Sequence, residues 1–203
     1  MKNKAGLLFY SVLTAFIITV LISVLSFEVK SDGIRNSVLR MHVVANSDSE
    51  ADQELKLKVR DAVLEAGREL FDGSITAEDA EEKLNPEKEK LKKTAQKIIA
   101  ENGFDYGVDV FIGKTYYTTR TYDNSVTLPA GNYEAVNVII GEGKGHNWWC
   151  VMFPPMCLPA AEADTQIDDV LSDDELKLVK SNPKFEPRFK IVEIYEKIME
   201  KIK

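Results

Sequence analysis

The first thirty residues constrain this chain more than any other part of its sequence. No charged side chain occurs between Ala5 and Phe27, and Lys2 and Lys4 precede this run. About 20 apolar residues in a helix are enough to cross the hydrocarbon core of a bilayer. Because lysines beside such a segment tend to stay on the cytoplasmic side, we expect the rest of the chain to be exported.

A cleaved signal peptide is the alternative interpretation of this run. The apolar region of a signal peptide usually has about 7–15 residues and ends at a site of small residues. The run here is longer, and its best cleavage candidate, residues 24–26, matches that pattern poorly. We therefore expect residues 1–30 to form a membrane anchor or signal segment and residues 31–203 to form the exported domain.

The net charge makes nucleic acid an improbable partner. The formal charge is −7, and subtracting the two lysines before the apolar run leaves −9 on the remainder. Such a domain repels phosphate backbones and anionic membrane surfaces. Residues 162–175 contain seven acidic side chains and no Lys or Arg. A solvated loop is the simpler interpretation, because the alternating ligand order of a calcium-binding loop is missing.

The hydrophobic pattern predicts one α+β domain after a polar linker at residues 30–33. Leu39, Met41 and Val43 alternate with less apolar positions, which is the period of a half-buried strand. Apolar spacings of three and four then predict helices. We expect further strands near residues 108–121 with a bend at Gly113, at 133–140 and at 147–153, and helices at 174–180 and 187–201. Only the first strand has helical crossovers, so we expect an antiparallel or mixed sheet with helices packed on it.

The chain has only two histidines and two cysteines: His42, His146, Cys150 and Cys157. Within a strand, His146 and Cys150 would lie about 13 Å apart at ~3.3 Å per residue, too far for one zinc ion. We therefore expect no metal and no other cofactor. Export and the even cysteine count favour a Cys150–Cys157 disulfide. Two buried free thiols are the other possibility.

The common catalytic signatures are absent from the sequence, so we expect a protein that is not an enzyme. There is no Gly-x-Ser-x-Gly, no His-Glu-x-x-His and no phosphate-binding loop, and the glycines at 141–145 lack the spacing of the last. Loops on a rigid sheet often carry binding residues, and an exposed tryptophan can dominate an interface. The candidate partner-binding residues are His42, Asn46, Ser47, Asp48, Lys144, His146, Trp148 and Trp149. The alternative is that His42 and the tryptophans complete the core.

Two long segments carry a specific resemblance. The first is LRMHVVANSDS at residues 39–49, followed by LKLKVRDAV at 55–63. The second is LPAG at 128–131 and YEA at 133–135, continuing through IIGEGKGHNWWCVMFPP at 139–155. Together they resemble the stage II sporulation protein R family in the same order.

The resemblance implies a developmental signal. Members of that family are made in the forespore and exported into the intermembrane space that faces the mother cell. There they activate a membrane-embedded aspartic protease, which removes the pro-sequence of sigma-E. An extracytoplasmic hydrolase using the His/Cys set, with or without zinc, is the alternative from another class, and a cell-wall or scaffold protein is a third.

Overall fold

The computed structural model describes residues 2–71, 76–122, 125–156 and 166–180, and it confirms the α+β fold class. The helices are α1 (Lys2–Asn36), α2 (Glu50–Phe71), α3 (Ala77–Leu84), α4 (Lys88–Glu101), α5 (Ile167–Val170) and α6 (Asp173–Val179), with a 3-10 turn at Asn85–Glu87. The strands are β1 (Leu39–Val44), β2 (Val108–Tyr117), β3 (Arg120–Tyr122), β4 (Val126–Leu128), β5 (Gly131–Ile140) and β6 (Asn147–Phe153). The helix expected at 187–201 lies outside the described residues.

Helix α1 is long and apolar enough to cross a membrane. Its large apolar side chains from Leu7 to Leu25 are exposed rather than packed against the rest of the protein. Because the helix stands at the N-terminus, these properties are compatible with a membrane anchor or with a signal sequence.

The polar linker expected at residues 30–33 is wrong, because α1 continues through it to Asn36. Phe27 and Ile34, seven residues apart, share one side of the helix and are buried against the domain. Ser31 is buried between them. Gly33 alone does not end a helix, since glycine costs only about 1 kcal/mol there relative to alanine. The apolar helix therefore enters the domain without a break.

Four strands form one mixed sheet in the order β2-β5-β1-β6. β1 runs parallel to β5, with Met41 opposite Val136, and antiparallel to β6. β2 pairs antiparallel with β5 over all ten residues, so the bend expected at Gly113 is absent. β3 and β4 form a separate two-stranded sheet.

The first face of the sheet carries Leu39, Met41 and Val43 and is covered by α2, α3 and α4. These strand residues are buried together with Val59 of α2 and Leu91 of α4. Complete burial of each such side chain contributes about 1.5–3 kcal/mol. This apolar layer is the main core.

The second face carries Arg40 and His42 of β1 and is covered by the end of α1, by β3–β4 and by α6. Arg40 is fully buried, and its guanidinium lies 3.9 Å from the ring centre of Tyr117 and 4.7 Å from that of Tyr133. Its Nη2 also donates to the hydroxyl of Tyr122. Among the described residues no carboxylate pairs with Arg40. Cation–π attraction to desolvated rings, about 2 kcal/mol or more each, is its main stabilisation.

The described part of the acidic run folds into α5 and α6. Asp169 and Glu175 accept hydrogen bonds from the backbone N–H groups of Gln166 and Ser172 and so cap these helices. Asp174 lies 3.2 Å from Lys30 of α1. The acidic residues beyond Gln166 therefore lie in short capped helices with their side chains mostly exposed, while the buried Leu178 and Val179 pack with Phe27 of α1. The earlier acidic residues lie outside the described residues.

Candidate functional site

Two loops meet at the carboxyl ends of the parallel strands β1 and β5. Residues 46–49 follow β1 and residues 141–146 follow β5; we call them together the loop cluster. The backbone N–H of Lys144 donates to the carbonyl of Asn46 at 3.1 Å, and that of Gly145 donates to the carbonyl of Ala45 at 2.9 Å. The antiparallel pairing of β1 with β6 therefore extends, with a shift of one residue, into the loop that precedes β6.

Gly145 is needed for this close approach. A Cβ atom at this position would lie 2.2 Å from the backbone carbonyl oxygen of Ser47, which cannot move as a side chain can. The glycine-rich segment is thus a close-packed backbone crossing rather than the mobile hairpin loop that the glycine content suggests.

A buried polar network lies under the loop cluster. Asp52 of α2 is 3% exposed and accepts hydrogen bonds from Asn46 Nδ2 at 2.9 Å and from Ser47 Oγ at 2.5 Å. Burial would raise the pKa of Asp52, but the bonds from Ser47, Asn46, Tyr106 and Ser49 outweigh it and hold the pKa below its ordinary value. The ionised carboxylate therefore fixes the turn.

Lys56 occupies the next turn of α2 and is also buried. Its ammonium donates to the backbone carbonyl of His146 at 3.0 Å and to Gln53 Oε1 at 2.5 Å. Burial lowers the pKa of Lys56, and the nearby charge of Asp48 partly opposes that effect. Lys56 thus ties the second loop to the helix.

Above this network the charged side chains are open to solvent. The carboxylate of Asp48 accepts from the backbone N–H of His146 at 2.6 Å and also contacts Nδ1 of its ring. The side chains of Asp48 and His146 are 57% and 77% exposed. Lys144 pairs with Glu142 at 2.7 Å. The arrangement presents ionic and hydrogen-bonding groups on a fixed backbone, which suits recognition of a polar partner surface.

Trp148 and Trp149 lie on opposite faces of β6. Trp148 is 37% exposed beside the loop cluster, and the guanidinium of Arg60 in α2 lies 4.4 Å from its ring centre. Trp149 is half-buried on the second face and stacks on His42, with ring centres 3.8 Å apart. Arg120 lies 4.7 Å from the ring centre of Trp149. Trp148 is therefore the more accessible of the two rings.

His42 belongs to the stack rather than to the loop cluster. Its Nε2 lies 2.9 Å from Oδ1 of Asn147. Burial is the main reason that the pKa of His42 is lowered; bonds with Asn147 and Asn137 oppose this, and the charge of Arg120 adds to it. The ring is therefore neutral at neutral pH and acts as a packed aromatic group.

Cys150 is buried on the first face and is not a free thiol. Cys157 lies outside the described residues, so the Cys150–Cys157 disulfide stays a prediction. His42 and Cys150 stand on opposite faces of the sheet, which separates two members of the zinc set considered from the sequence. Among the described residues no three His, Cys, Asp or Glu side chains group closely enough to hold a metal ion.

Comparison with known proteins gives two matches. The family model described as stage II sporulation protein R (spore_II_R) matches residues 35–163. The chain belongs to this family. It is 36% identical over 124 residues to stage II sporulation protein R of Bacillus subtilis (strain 168), which covers 61% of this chain and 55% of that protein. The chain thus aligns with little more than half the length of that relative, and no solved structure matches.

Membership of the stage II sporulation protein R family assigns the chain a role in sporulation. The matched segment begins in the last turn of α1 and contains the whole four-stranded sheet and the loop cluster. The apolar part of α1 and helices α5 and α6 lie outside it. The family match therefore covers the sheet, its loops and the three helices α2, α3 and α4 on its first face.

Three buried charged residues were not predicted from the sequence: Asp52 and Lys56 beneath the loop cluster, and Arg40 on the second face of the sheet. Asp52 and Lys56 are four residues apart on α2 and lie on the same helix face as the apolar Val59. This spacing could have predicted that both side chains point towards the core. Arg40 occupies an alternating polar position of β1, where a charged residue is ordinarily exposed. Of the predicted residues, Asn46, Ser47, Asp48, Lys144 and His146 come together, and Trp148 borders them.

Proposed function

We propose that this protein is an exported, membrane-anchored signal that activates a membrane-embedded aspartic protease, which then processes pro-sigma-E during sporulation. It acts from the forespore on the protease in the facing membrane and works by binding, not by catalysis. The family supports the role in sporulation. The observation that carries the binding mechanism is the loop cluster, in which exposed Asp48 and His146 stand on a buried, fully bonded base.

The position of the loop cluster supports contact with a partner across a gap. Helix α1 joins the sheet at the amino ends of β1 and β5, where Arg35 binds the carbonyl of Ala130 just before β5. The loop cluster lies at the carboxyl ends of the same strands. Six residues of β1 at ~3.3 Å each place the two ends about 20 Å apart. An anchor at one end leaves the other free for a partner.

Activation follows if the loop cluster binds the active form of the protease more tightly than the resting form. A ligand shifts a conformational equilibrium only by its difference in affinity for the two states. A tenfold shift needs about 1.4 kcal/mol, which one hydrogen-bonded charged contact or one buried Trp148 ring can supply.

The geometry does not favour the alternative hydrolase. In the described part of the chain, neither histidine ring hydrogen-bonds to a Ser, Thr or Cys side chain. A hydrolase of this kind requires a nucleophile within reach of its base.

The test is co-expression of the full chain with the protease and pro-sigma-E in a host that lacks all three. Asp48→Ala and His146→Ala should each reduce cleavage at least tenfold at unchanged protein level. The melting temperature of His146→Ala should stay unchanged, because substitutions of exposed side chains usually change stability by under about 0.5 kcal/mol; that of Asp48→Ala should fall slightly, since the backbone N–H of His146 loses its acceptor. Lys97→Ala, which removes an exposed ion pair on α4 far along the chain from the loop cluster, is the matched control. Wild-type cleavage by both loop variants would reject the loop cluster as the contact. If pro-sigma-E is cleaved equally well with and without the wild-type chain, the proposed function itself is rejected.

A further inference from the structure

Within the described part of the chain, no strand pairs with the outer edge of β2. The N–H of Gly141 donates to the carbonyl of Gly107 at 2.8 Å and extends the β2–β5 ladder by one pair. Hydrogen-bonded pairs alternate in an antiparallel ladder, so the odd-numbered residues of β2 face β5. Val108, Val110, Ile112 and Lys114 therefore present their backbone groups outwards, and no described residue bonds to them. Such an edge is a template for another strand.

We infer that this edge pairs with the same edge of a second copy of the chain, antiparallel and centred on Ile112. This register places Ile112 opposite itself and Val110 opposite Lys114 on the first face. On the second face it places Phe111 opposite Gly113 and Asp109 opposite Thr115.

The choice of a second copy rests on the self-complementarity of these pairs. Phe111 is 42% exposed, and a Cβ atom on Gly113 would meet nothing within 4 Å, so the ring of one copy has open space over the glycine of the other. The Asp109 carboxylate can accept from the Thr115 hydroxyl. Asp109 already lies 3.0 Å from Lys92, but both are well exposed and such pairs contribute little.

A two-fold axis perpendicular to the sheet keeps each face on its own side. The second faces of both copies, on which the end of α1 packs, therefore look the same way.

One strand pair buries less than the ~800 Å² per partner of a standard interface, so the dimer should be weak and concentration-dependent. Sedimentation of the full chain in detergent, across a dilution series, should show a monomer–dimer equilibrium. Lys114→Pro removes an outward N–H without breaking the β2–β5 ladder, and by symmetry it removes two intermolecular bonds. We expect about tenfold to thirtyfold weaker association, while Lys114→Ala, which keeps the N–H, stays close to wild type.

Cysteine cross-linking in membranes tests the register. The double variant Asp109→Cys, Thr115→Cys should form a disulfide-linked dimer that reductant reverses. The control variant Asp109→Cys, Gly113→Cys would bring its cysteines together only in a register centred on Phe111. It should therefore cross-link far less. A full chain that stays monomeric and forms no cross-link would overturn the inference, as would equal cross-linking in both registers or unchanged association of Lys114→Pro.

Discussion

The two ends of the β1/β5 pair use buried charge in different ways. At the amino ends, Arg35 is buried and binds Glu28 and Asp32 of its own helix, and the carbonyl of Ala130. At the carboxyl ends, Asp52 and Lys56 are buried, but their bonds run to loop residues: Asp52 binds the half-buried Asn46 and Ser47, and Lys56 binds the carbonyl of the exposed His146. The first network joins a helix to a sheet, whereas the second holds a surface in place.

Substitutions at the two ends should therefore have different effects. Changes at the junction should alter how firmly α1 is attached, and changes to the exposed residues of the loop cluster should alter recognition. Gly131 illustrates the junction: its φ is +142°, and a Cβ atom there would lie 2.5 Å from Cδ of Arg35. The glycine leaves the space that the arginine side chain occupies.

The largest effect is expected from Arg35→Ala. The substitution leaves the Ala130 carbonyl without its buried partner, removes packing, and leaves Glu28 and Asp32 as adjacent uncompensated charges, so unfolding should become easier by about 3 kcal/mol. Chemical denaturation of the full chain in detergent measures this. Arg35→Lys, which restores the charge but not the forked geometry, should recover only part of the loss. A change below about 1 kcal/mol for Arg35→Ala would mean that the junction is not held by this residue.

A smaller loss of about 2 kcal/mol is expected from Asp52→Ala, because the donors of Asn46 and Ser47 lose a buried acceptor. Hydrogen exchange should show faster opening of residues 141–147, whereas α1 near Arg35 should exchange as in wild type. Lys144→Ala, at the same end, removes an exposed side-chain pair with Glu142; it is the control and should leave both segments unchanged. If Asp52→Ala increases the hydrogen-exchange rate equally in residues 141–147 and in α1 near Arg35, the two networks are not independent.

The sequence predicted local structure well where a single element determines the pattern. Alternation at residues 39–45 and 133–140 identified the two central strands β1 and β5, and apolar spacing identified α2 and α4. The parallel pairing of β1 with β5 depends on contacts about 95 residues apart, which no local period encodes. The fold class was therefore predictable, but the strand order was not.

The junction and Arg40 show why the rest was not predictable. Lys30, Ser31 and Asp32 have linker-like composition, and only docking of Phe27 and Ile34 keeps them helical. Arg40 becomes a core residue because Tyr117, Tyr122 and Tyr133 arrive from three other strands. In both cases tertiary packing overrides the local preference of polar residues.

The smallest expected effect is a pH dependence at the stack of His42 on Trp149, which belongs to neither network. Arginine does not titrate near neutral pH, so the junction network should not respond, whereas His42 beside Asn147 has a folded-state pKa below 6.5. Below about pH 6.5 the imidazole of His42 is protonated in the unfolded chain but stays neutral in the native state until the pH falls further. Stability contributed by the neutral ring is therefore complete above about pH 6.5 and is lost as the pH falls towards the folded pKa. The unfolding free energy changes by at most about 1.4 kcal/mol per pH unit, and by less for a half-buried ring.

The variant His42→Phe tests this, because it keeps an aromatic ring on Trp149 but cannot titrate. Denaturation curves at about pH 7.5 and 5.5 should show a smaller loss of stability for His42→Phe than for wild type. Equal losses would show that His42 does not couple protonation to stability, and a gain in wild-type stability on acidification would reverse the assigned sign.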